Sequence, residues 1–573
     1  MAILQPLVDL AELCALHGLR HVVLSPGSRS AALTLAFTRN GRFACRVVMD
    51  ERAAGFVALG MAQQLGVPVV LVCTSGSAAY NYAPAVVEAF FQQIPLLVLT
   101  ADRPKEWIHQ LDGQTIYQTE LYGKHVKRSY DLPADYQHED APWFINRSVN
   151  EAILTSLAQP PGPVHINVPI REPFYPNPGE EMVPTPGLRY IQQVPAVATL
   201  APEQWHPLLD AWDASERILI AGGQQARNDQ LQEVLARIAE EWRVPVLGDV
   251  ISNLGSGEGL ITHHDLFLGT SEGAALRPDL LVTFGKSFLS KSLKQFLRKY
   301  PPLRHWHIGE ENHLIDTFQT LTTQVPVSPA YFWPKLYEDI DYQKFVQHTD
   351  TEVDENYLAH WQALERKSRR LLREYLQNLT VISELQVLEK VLESLPARCQ
   401  LHLANSMPVR YVNMLGLTHP SCEVFANRGT SGIDGCVSTA LGAAAVNQVP
   451  TYLLVGDVAF LYDRNGLLMR PLPDQFKILV LNNGGGNIFR MIDGPAAQPE
   501  LEEYFETRHA YTAQSTALES GMGYRAVTAM EQLPDALDEF HQARRSFVLE
   551  IFTDPETNAQ VLKGLKIYLK TNH

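Results

Sequence analysis

The chain has 573 residues, of which 46% are hydrophobic and 19% charged, a composition typical of a globular protein of several domains and not of a disordered or fibrous one. A formal net charge of −16 argues against a protein that binds nucleic acid or an anionic membrane, although arginines lining a cleft can still make one site positive. The N-terminus lacks the basic start and cleavage site of a signal peptide and no apolar stretch has the length of a membrane span, so we expect a cytoplasmic protein.

Apolar runs alternate with helix-length segments in three successive parts of the chain, the pattern of parallel β-α-β units. The predicted strands are 21–25, 45–49, 67–75, 94–102 and 164–169 in the first part, 217–223, 244–250, 279–286 and 304–309 in the second, and 400–406, 423–429, 451–457, 477–483 and 546–554 in the third. The near-continuous Val, Leu and Ile content of the first set predicts strands buried on both faces. A proline-rich segment at 171–187 predicts a linker, and a polar stretch at roughly 335–378 predicts helix. We therefore predict an α/β protein of three doubly wound parallel-sheet domains (1–185, 186–350 and 351–573), of which the first and third can be versions of one fold.

Two predicted strands in the third part end in polar side chains. Asp457 follows TYLLVG, and Asn483 follows KILVLN one crossover segment later. The two strands can therefore be neighbours, with both polar ends at the carboxyl edge of the sheet, where open α/β sheets bind ligands. A carboxylate, an amide oxygen and a carbonyl from the glycines 484–486 would form an all-oxygen site that suits Mg²⁺. The alternative is a pair of surface turns, since Asp and Asn-Gly both favour turns.

G-D-x followed about two dozen residues later by N-N resembles the diphosphate and magnesium motif of thiamin diphosphate enzymes. The resemblance implies thiamin diphosphate with Mg²⁺ or Mn²⁺, the metal being held by Asp457, the Asn483 side chain and the Gly485 carbonyl. The usual third residue of the motif is Gly, whereas this chain has Val458, a departure that removes no ligand. Further positions that the resemblance assigns to cofactor binding are Ser75, Ile433, Gly456, Val458, Ala459, Asn487 and Ile488. Ile433 matches the apolar residue that holds thiamin in its bent conformation; without the resemblance it is an ordinary core isoleucine.

Glu51 opens a predicted helix after strand 45–49, in the stretch VVMDERAAGFVALGMA. Thiamin diphosphate enzymes need a carboxylate against the aminopyrimidine ring, and the resemblance gives this role to Glu51. From the residues alone, Asp50 or Glu51 could each simply complement the helix dipole. In such enzymes the glutamate and the diphosphate site come from different subunits. The resemblance thus implies a homodimer or homotetramer with active sites at subunit interfaces, and pyrimidine-binding, middle and diphosphate-binding domains in chain order.

The remaining motifs resemble one family among the thiamin diphosphate enzymes. They are LSPGSRSAAL (24–33), TSGSAAYNYAPAVVEA (74–89), TADRP (100–104), LDGQ (111–114), NSMPVR (405–410) and ANRGTSGIDG (426–435). The family is that of the 2-succinyl-5-enolpyruvyl-6-hydroxy-3-cyclohexene-1-carboxylate synthases, enzymes of menaquinone biosynthesis. This resemblance implies decarboxylation of 2-oxoglutarate and 1,4-addition of the resulting succinyl carbanion equivalent to isochorismate.

The two substrates would bring four carboxylates, so their site needs several fixed cations, and arginine suits this because its planar fork binds a carboxylate through two hydrogen bonds. The resemblance assigns substrate binding to Ser28, Arg29, Arg103, Gln114, Lys291, Ser406, Arg410, Arg428 and Phe489. It also assigns Ser28, Arg29 and Gln114, with Glu51, to catalysis. Taken singly, the arginines could form surface salt bridges and the serines could cap helices. The chain departs from the family at Ser292, where an arginine is expected, so one anionic contact is lost or is supplied by Lys294.

Other classes of function fit the sequence less well. GTSEG (269–273) matches the G-x-S-x-G nucleophile elbow of hydrolases, with Ser271 as nucleophile, but no strong strand precedes it and Pro278 interrupts the helix that should follow. No G-x-G-x-x-G opens a helix after the first strand, as a dinucleotide enzyme would require. His263 and His264 lack further ligands at metal-binding spacing, which favours a polar loop. Within the thiamin enzymes, the alternative is another 2-oxo-acid decarboxylase or carboligase.

Overall fold

The computed structural model describes residues 4–177, 179–255, 257, 259–269, 273–311, 313–339, 356–419 and 421–573. Within these ranges the backbone forms three sheets, each of six parallel strands with helices between them in the chain. The predicted α/β class with three parallel sheets is therefore confirmed. The domain boundaries near residues 185 and 350 stay predictions.

The first sheet has the spatial order β2-β1-β3-β4-β6-β5. Its strands are His21–Leu24 (β1), Ala44–Val47 (β2), Val69–Cys73 (β3), Leu96–Asp102 (β4), Ser129–Asp131 (β5) and Val164–Pro169 (β6). The α-helices of this part are Gln5–Leu16, Ala31–Arg39, Glu51–Leu65, Ser77–Asn81, Ala83–Gln92 and Asp140–Leu157, with 3-10 turns at Lys105–Trp107 and Gly123–His125. Ser28 and Arg29 follow β1 and Arg103 follows β4, so these predicted substrate residues lie at the carboxyl edge of this sheet.

The middle sheet has the order β12-β11-β10-β7-β8-β9, which is the common doubly wound order 3-2-1-4-5-6 when strands are counted from β7. Its strands are Ile218–Gly222 (β7), Val246–Gly248 (β8), Leu260–Ile261 (β9), Leu280–Phe284 (β10), Arg304–Ile308 (β11) and Thr323–Val325 (β12). Its helices are Pro202–Asp213, Asp229–Glu241, Lys291–Lys299 and Pro329–Asp339, with 3-10 turns at Val250–Ser252, His264–Leu266 and Gly273–Leu276.

The third sheet has the order β14-β13-β15-β16-β18-β17, which repeats the connectivity of the first sheet and supports the prediction that these two parts are versions of one fold. Its strands are Gln400–Leu403 (β13), Glu423–Phe425 (β14), Thr451–Gly456 (β15), Phe476–Asn482 (β16), Gly523–Val527 (β17) and Phe547–Phe552 (β18). The α-helices are Asn356–Gln377, Glu384–Ser394, Met407–Leu415, Cys436–Ala444, Asp457–Asp463, Asp493–Ala496, Gln514–Glu519, Leu533–Gln542 and Pro555–Asn572. Short 3-10 or π turns are Arg464–Leu468, Asn487–Met491, Leu501–Phe505 and Met530–Gln532.

The strands that the sequence pattern missed are short or polar. β5 reads SYD, β9 reads LI, β12 reads TQV and β17 reads GYRAV, so none offers a long apolar run. The prediction that every run of the first part is buried on both faces is wrong for β2. This strand lies at the sheet edge, and Val47 is 51% exposed. Of the predicted helix at 335–378, the structure describes the parts up to Asp339 and from Asn356 onward; the rest lies outside the described residues.

The first and third parts pack directly against each other within the chain. Helices Glu51–Leu65 and Cys436–Ala444 cross so closely that a Cβ on Gly60 would collide with the Thr439 carbonyl, and one on Gly442 with the Val57 carbonyl. Glycine is required at both crossing points because only a hydrogen atom fits there. The start of the first helix, where Glu51 lies, is thereby fixed relative to the third sheet.

Stability should depend on the buried histidine of β13. His402 is buried, its ring stacks on Phe425 at 5.0 Å between centroids, and burial lowers its pKa to about 3. The folded state therefore binds fewer protons than the unfolded state below pH 6.5, so this contribution is full above pH 6.5 and is lost as pH falls towards 3. We expect His402→Gln to reduce the pH slope of the unfolding free energy in that window by about 1.4 kcal/mol per pH unit. Thermal melts at pH 7 and pH 4.5 check this, with His360→Gln at an exposed position as the control. If His402→Gln loses as much stability as the wild type between these pH values, the prediction is contradicted.

Candidate active site

The two polar strand ends of the third sheet lie side by side. β15 and β16 pair in parallel, with Gly456 opposite Leu481, so Asp457 and the Asn482–Asn483 pair emerge at the same carboxyl edge. Asp457 begins helix Asp457–Asp463, and the glycines 484–486 follow β16. The predicted adjacency of these strands is confirmed. The edge is where a parallel α/β sheet places its ligand.

Asp457 is buried and held by backbone donors. Its Oδ1 accepts from Val458 N at 2.7 Å and its Oδ2 from Gly485 N at 2.9 Å, so the structure brings Asp457 and Gly485 together. Burial raises the pKa of the Asp457 carboxyl, while these N–H donors and the nearby His509 oppose that rise. His509 Nε2 lies 3.5 Å from Asp457 Oδ2. A buried carboxylate with few charge partners is one that a bound cation would stabilise.

The two neighbouring asparagines have different environments. Asn482 Nδ2 donates to Glu550 Oε1 at 2.7 Å, and its Oδ1 accepts from Gly484 N at 3.1 Å. Asn483 Nδ2 donates to Glu384 Oε1 at 2.6 Å, but its Oδ1 is buried and has no hydrogen-bond partner among the described residues. Asn483 is therefore the asparagine whose oxygen is available to a ligand.

The turn after β16 contains further unpaired polar atoms. Gly484 has φ +74°, and a Cβ on Gly485 would lie 2.6 Å from the Glu506 carbonyl, so this path of the chain requires glycine. Asn487 is 4% exposed, and neither atom of its amide has a partner within the described ranges. Buried polar atoms without partners are costly unless a ligand completes them. An aspartate carboxylate, a free amide oxygen and a glycine-rich turn fit a diphosphate bound through Mg²⁺.

The structure separates the roles of Asp50 and Glu51. Asp50 caps helix Glu51–Leu65 by accepting from Arg52 N at 3.0 Å, and it also accepts from Asn465 Nδ2 at 2.9 Å. The Arg52 side chain holds the pKa of Asp50 low, at about 2. Glu51 accepts from Asn81 Nδ2 at the long distance of 3.4 Å and is half-buried, near the buried Cys73 and Tyr82. Helix capping is therefore the role of Asp50, and Glu51 keeps a carboxylate that other groups can reach.

Ser75 lies at the end of β3, at the carboxyl edge of the first sheet. Its Oγ and that of Thr74 are buried without a hydrogen-bond partner in the part of the chain that the structure describes. Gly27 approaches Thr74 so closely that any side chain at residue 27 would collide with it. This close approach holds the loop of Ser28 and Arg29 against β3.

The two arginines of the first part that are predicted to bind substrate, Arg29 and Arg103, lie near each other. Arg29 is buried, donates from Nη1 to the Ile170 carbonyl at 2.9 Å and lies 4.4 Å from the centroid of the Phe174 ring. Burial, and then the positive charge of Arg103, lower the pKa of Arg29. Arg103 forms an ion pair with Asp112 at 3.0 Å and donates to the Gly113 carbonyl, next to the exposed Gln114. Ser28 is also exposed in its loop.

A second basic group lies between the middle and third parts. Arg428 donates from Nη1 to Asn405 Oδ1 at 2.8 Å, and its Nε is buried without a hydrogen-bond partner among the described residues. Burial, and then the charge of Arg410, lower the pKa of Arg428. Lys294 is half-buried, and its pKa is lowered by burial and by Arg428 although Asp249 opposes the shift. Lys291, in contrast, is exposed at the start of its helix.

The remaining predicted residues lie in the third part of the chain. Ser406 has φ +77° and accepts a hydrogen bond from Arg410 on its carbonyl. Ile433 is half-buried against the core shared by the first and third parts, and Ile488 packs against the core of the third part. The Phe489 ring lies 5.8 Å from that of Phe505. Gly456, Val458 and Ala459 lie on either side of Asp457. The roles assigned to all these residues stay predictions.

Sequence reasoning missed two residues next to the proposed metal ligands. Glu384 is buried against Asn483, and burial raises its pKa to about 7 while the hydrogen bond from Asn483 lowers it and the charge of Asp457 raises it. His509 lies beside Asp457 and donates its backbone N–H to the Gly484 carbonyl at 3.0 Å. Neither lies in a motif or at a strand end, so no local signal marked them.

The rival candidate residues either make structural contacts or lie outside the described ranges. Ser271, the candidate hydrolase nucleophile, is outside the described residues. His263 and His264 do not form a polar loop: both are buried, His263 Nδ1 lies 2.7 Å from Glu365 Oε1, and His264 lies 3.5 Å from Asp249. The described ranges contain no group of three or more His, Cys, Asp or Glu that could hold a metal ion. No helix in these ranges is long and apolar enough to span a bilayer.

Comparison with known proteins gives consistent matches. Residues 8–125 match the family model for the thiamine pyrophosphate enzyme, N-terminal TPP binding domain, and residues 188–403 match that for the middle domain of thiamine pyrophosphate. The chain is 43% identical over 570 residues to the 2-succinyl-5-enolpyruvyl-6-hydroxy-3-cyclohexene-1-carboxylate synthase of Cytophaga hutchinsonii, with 98% of each chain covered. It is 37% identical to the synthase of the same name from Flavobacterium johnsoniae, with 97% of each covered. It is 36% identical to that of Porphyromonas gingivalis, covering 98% of this chain and 96% of the relative.

Proposed function

Because this chain belongs to the 2-succinyl-5-enolpyruvyl-6-hydroxy-3-cyclohexene-1-carboxylate synthase family, we propose that it decarboxylates 2-oxoglutarate and joins the succinyl unit to isochorismate by 1,4-addition. The protein is an enzyme, a transferase of menaquinone biosynthesis that forms a C–C bond with thiamin diphosphate as its cofactor. The products of the proposed reaction are the cyclohexene carboxylate of the family name and carbon dioxide.

The observation that supports these substrates is that arginines lie near each other at two places in a chain of net charge −16. Burial is the largest cause that lowers the pKa of Arg29 and of Arg428, and the charge of a neighbouring arginine is the second: Arg103 for Arg29 and Arg410 for Arg428. The fold thus holds like charges near each other. Asp112 already offsets part of the first pair, but the buried Arg428 Nε has no hydrogen-bond partner among the described residues, and arginine binds carboxylates through two hydrogen bonds. Substrates with two carboxylates each would give these arginines more anionic partners than a donor with a single carboxylate, such as pyruvate.

We propose Mg²⁺, or Mn²⁺, as the metal, with Asp457, the Asn483 side chain and the Gly485 carbonyl as its protein ligands. The support for this is the buried Asp457 carboxylate and the unpaired Asn483 Oδ1. When bound, thiamin diphosphate supplies the carbon nucleophile and the electron sink of the reaction. Glu51 would hold and exchange a proton with the aminopyrimidine nitrogen at its carboxylate oxygens. Ile433, Ser75 and the turn of Asn487 and Ile488 would hold the cofactor in place.

We also propose that the active site is completed by a second copy of the chain, in a homodimer or homotetramer. Within the described residues of one chain, no hydrogen bond or ion pair links Glu51 to Asp457, Asn483 or Gly485. Residues 1–185 would then form the pyrimidine-binding domain, 186–350 the middle domain and 351–573 the helical linker and diphosphate-binding domain.

Lys294 is our candidate for the cation that Ser292 does not supply. Its Nζ lies 2.6 Å from the Phe288 carbonyl, and its charge is near enough to Arg428 to be repelled by it. We expect Lys294→Met to raise the KM of one substrate by about 10-fold or more, with a smaller effect on kcat, because a hydrogen bond to a charged group contributes about 1.5 kcal/mol or more. Steady-state kinetics with each substrate varied in turn checks this. The control is Lys299→Met at the far, exposed end of the same helix, and equal KM values for both variants would contradict the assignment.

A comparison of donors tests the proposed function. Purified protein is given thiamin diphosphate, Mg²⁺ and isochorismate, together with either 2-oxoglutarate or pyruvate. We expect loss of isochorismate with 2-oxoglutarate and none above background with pyruvate. If pyruvate serves equally well, or isochorismate is not consumed, the chain is a different 2-oxo-acid decarboxylase or carboligase.

A further inference from the structure

Helix Glu384–Ser394 begins with a carboxylate that reaches the proposed metal site from outside the motifs. Glu384 is 1% exposed, and its Oε1 accepts from Asn483 Nδ2 at 2.6 Å. Its backbone N–H donates to Asn558 Oδ1 at 2.9 Å, and the nearby Tyr411 hydroxyl lowers the pKa of its carboxyl against the larger effect of burial. The start of the helix, and with it the position of Glu384, is thus fixed independently of Asn483.

This contact determines which way the Asn483 amide points. A side-chain amide has an NH₂ donor at one end and an oxygen acceptor at the other, and the Glu384 oxygen that faces Asn483, Oε1, is an acceptor. Glu384 therefore selects the orientation with Nδ2 towards itself and Oδ1 away from itself. Oδ1 is the buried atom without a partner in the described ranges, and it is the atom that a cation needs. If the Asn483 amide were reversed, its NH₂ group would face the cation and its Oδ1 would face Glu384 Oε1, and both contacts would be repulsive.

Asn482 provides a comparison within the same turn. It also donates its Nδ2 to a buried glutamate, Glu550, at 2.7 Å. Its Oδ1, however, accepts from Gly484 N, so both ends of its amide are used inside the protein. The same amide–glutamate contact thus leaves no free amide atom at Asn482, whereas at Asn483 it leaves the oxygen available to a ligand.

We propose that Glu384 is a positioning residue of the metal site, which locks the Asn483 amide with Oδ1 towards the bound Mg²⁺ and thereby sets the affinity for the metal. The inference rests on the proposed function, because the ligand role of Asn483 is itself proposed. Groups that orient metal ligands through hydrogen bonds change metal affinity by about 10- to 100-fold when they are removed.

The test measures the Mg²⁺ requirement for binding of thiamin diphosphate, by calorimetric titration of the metal-free protein with cofactor at a series of Mg²⁺ concentrations. Glu384→Met keeps the length of the side chain and removes the acceptor, and we expect it to need about 10- to 100-fold more Mg²⁺, with full binding recovered at saturating metal. Glu384→Gln keeps an acceptor oxygen, and we expect a requirement close to that of the wild type. Glu550→Gln is the matched control at the Asn482 contact and should leave the requirement unchanged.

Three results would overturn the inference: a wild-type Mg²⁺ requirement in Glu384→Met, an equal loss in Glu384→Gln, or a loss that saturating Mg²⁺ does not recover. Tyr411→Phe removes the hydroxyl that helps to keep the Glu384 carboxyl ionised and should shift the requirement in the same direction, but less. If Glu384→Met does not fold, an unchanged requirement in Tyr411→Phe would overturn the inference instead. The underlying metal site is tested separately, because wild-type binding that is independent of Mg²⁺, or a normal requirement in Asn483→Ala, would reject that site first.

Discussion

Glu51→Gln is expected to abolish turnover while thiamin diphosphate still binds. The glutamine keeps the size of the side chain and can accept a hydrogen bond from Asn81, but it cannot hold and return a proton. Loss of a positioned proton-transfer group costs about 10²- to 10⁴-fold in rate, and the role proposed for Glu51 includes activation of the cofactor, so we expect the upper end or beyond. The measurements are consumption of isochorismate under saturating conditions and calorimetric titration with the cofactor in Mg²⁺.

Asp50→Asn is the matched control for this prediction. Asparagine caps a helix as well as aspartate does, so the helix should start at the same place. We expect activity close to that of the wild type, since the hydrogen bonds of Asp50 go to Arg52 and Asn465, which are structural contacts. Full activity in Glu51→Gln, or a loss in Asp50→Asn equal to that in Glu51→Gln, would contradict the role of Glu51.

Asp457→Ala is expected to weaken the binding of thiamin diphosphate in Mg²⁺ by about 100-fold or more, because it removes a proposed metal ligand, whereas loss of a group that merely orients a ligand costs about 10- to 100-fold. It also leaves the N–H groups of Val458 and Gly485 without their acceptor, which loosens the glycine turn. Calorimetric titration with the cofactor, with and without Mg²⁺, gives the affinity directly.

Asp463→Asn is the control for Asp457→Ala. Asp463 is a second buried aspartate at the other end of the same helix, and its carboxylate accepts from Ser438 N and Oγ at 2.7 Å. This change removes a buried carboxylate away from the strand ends, so cofactor affinity should stay near the wild-type value. Equal affinities in Asp457→Ala and the wild type, with both proteins folded by their circular dichroism, would reject Asp457 as a ligand.

The binding edge of the third sheet could be predicted from the sequence because the relevant information is local. Each strand is a continuous apolar run ending in a polar residue, and the crossover between Asp457 and Asn483 allows essentially one arrangement, two parallel neighbours. The same reasoning succeeded for most strands and failed for β5, β9, β12 and β17, whose pairing is decided by neighbouring strands more than by their own composition.

The parts of the site that the sequence could not predict are long-range contacts. Glu384 lies 99 positions before Asn483, and nothing in the segment SELQ distinguishes it from any glutamate in the first turn of a helix. The contact between Glu384 and Asn483 is made only by tertiary packing, which no local sequence pattern records. Lys294, in contrast, was named from the sequence as the residue that could replace the arginine missing at Ser292, and the structure adds that it is half-buried whereas Lys291 is exposed.

The stoichiometry of the complete reaction is the decisive measurement for the proposed chemistry. Purified protein, thiamin diphosphate, Mg²⁺, 2-oxoglutarate and isochorismate are incubated together, and carbon dioxide, isochorismate and product are quantified by mass spectrometry. We predict one carbon dioxide released per isochorismate consumed, and a product whose mass is the sum of both substrates less carbon dioxide, because a 1,4-addition eliminates nothing from the acceptor. Carbon dioxide released without loss of isochorismate, or loss of isochorismate without carbon dioxide, would contradict the proposed reaction.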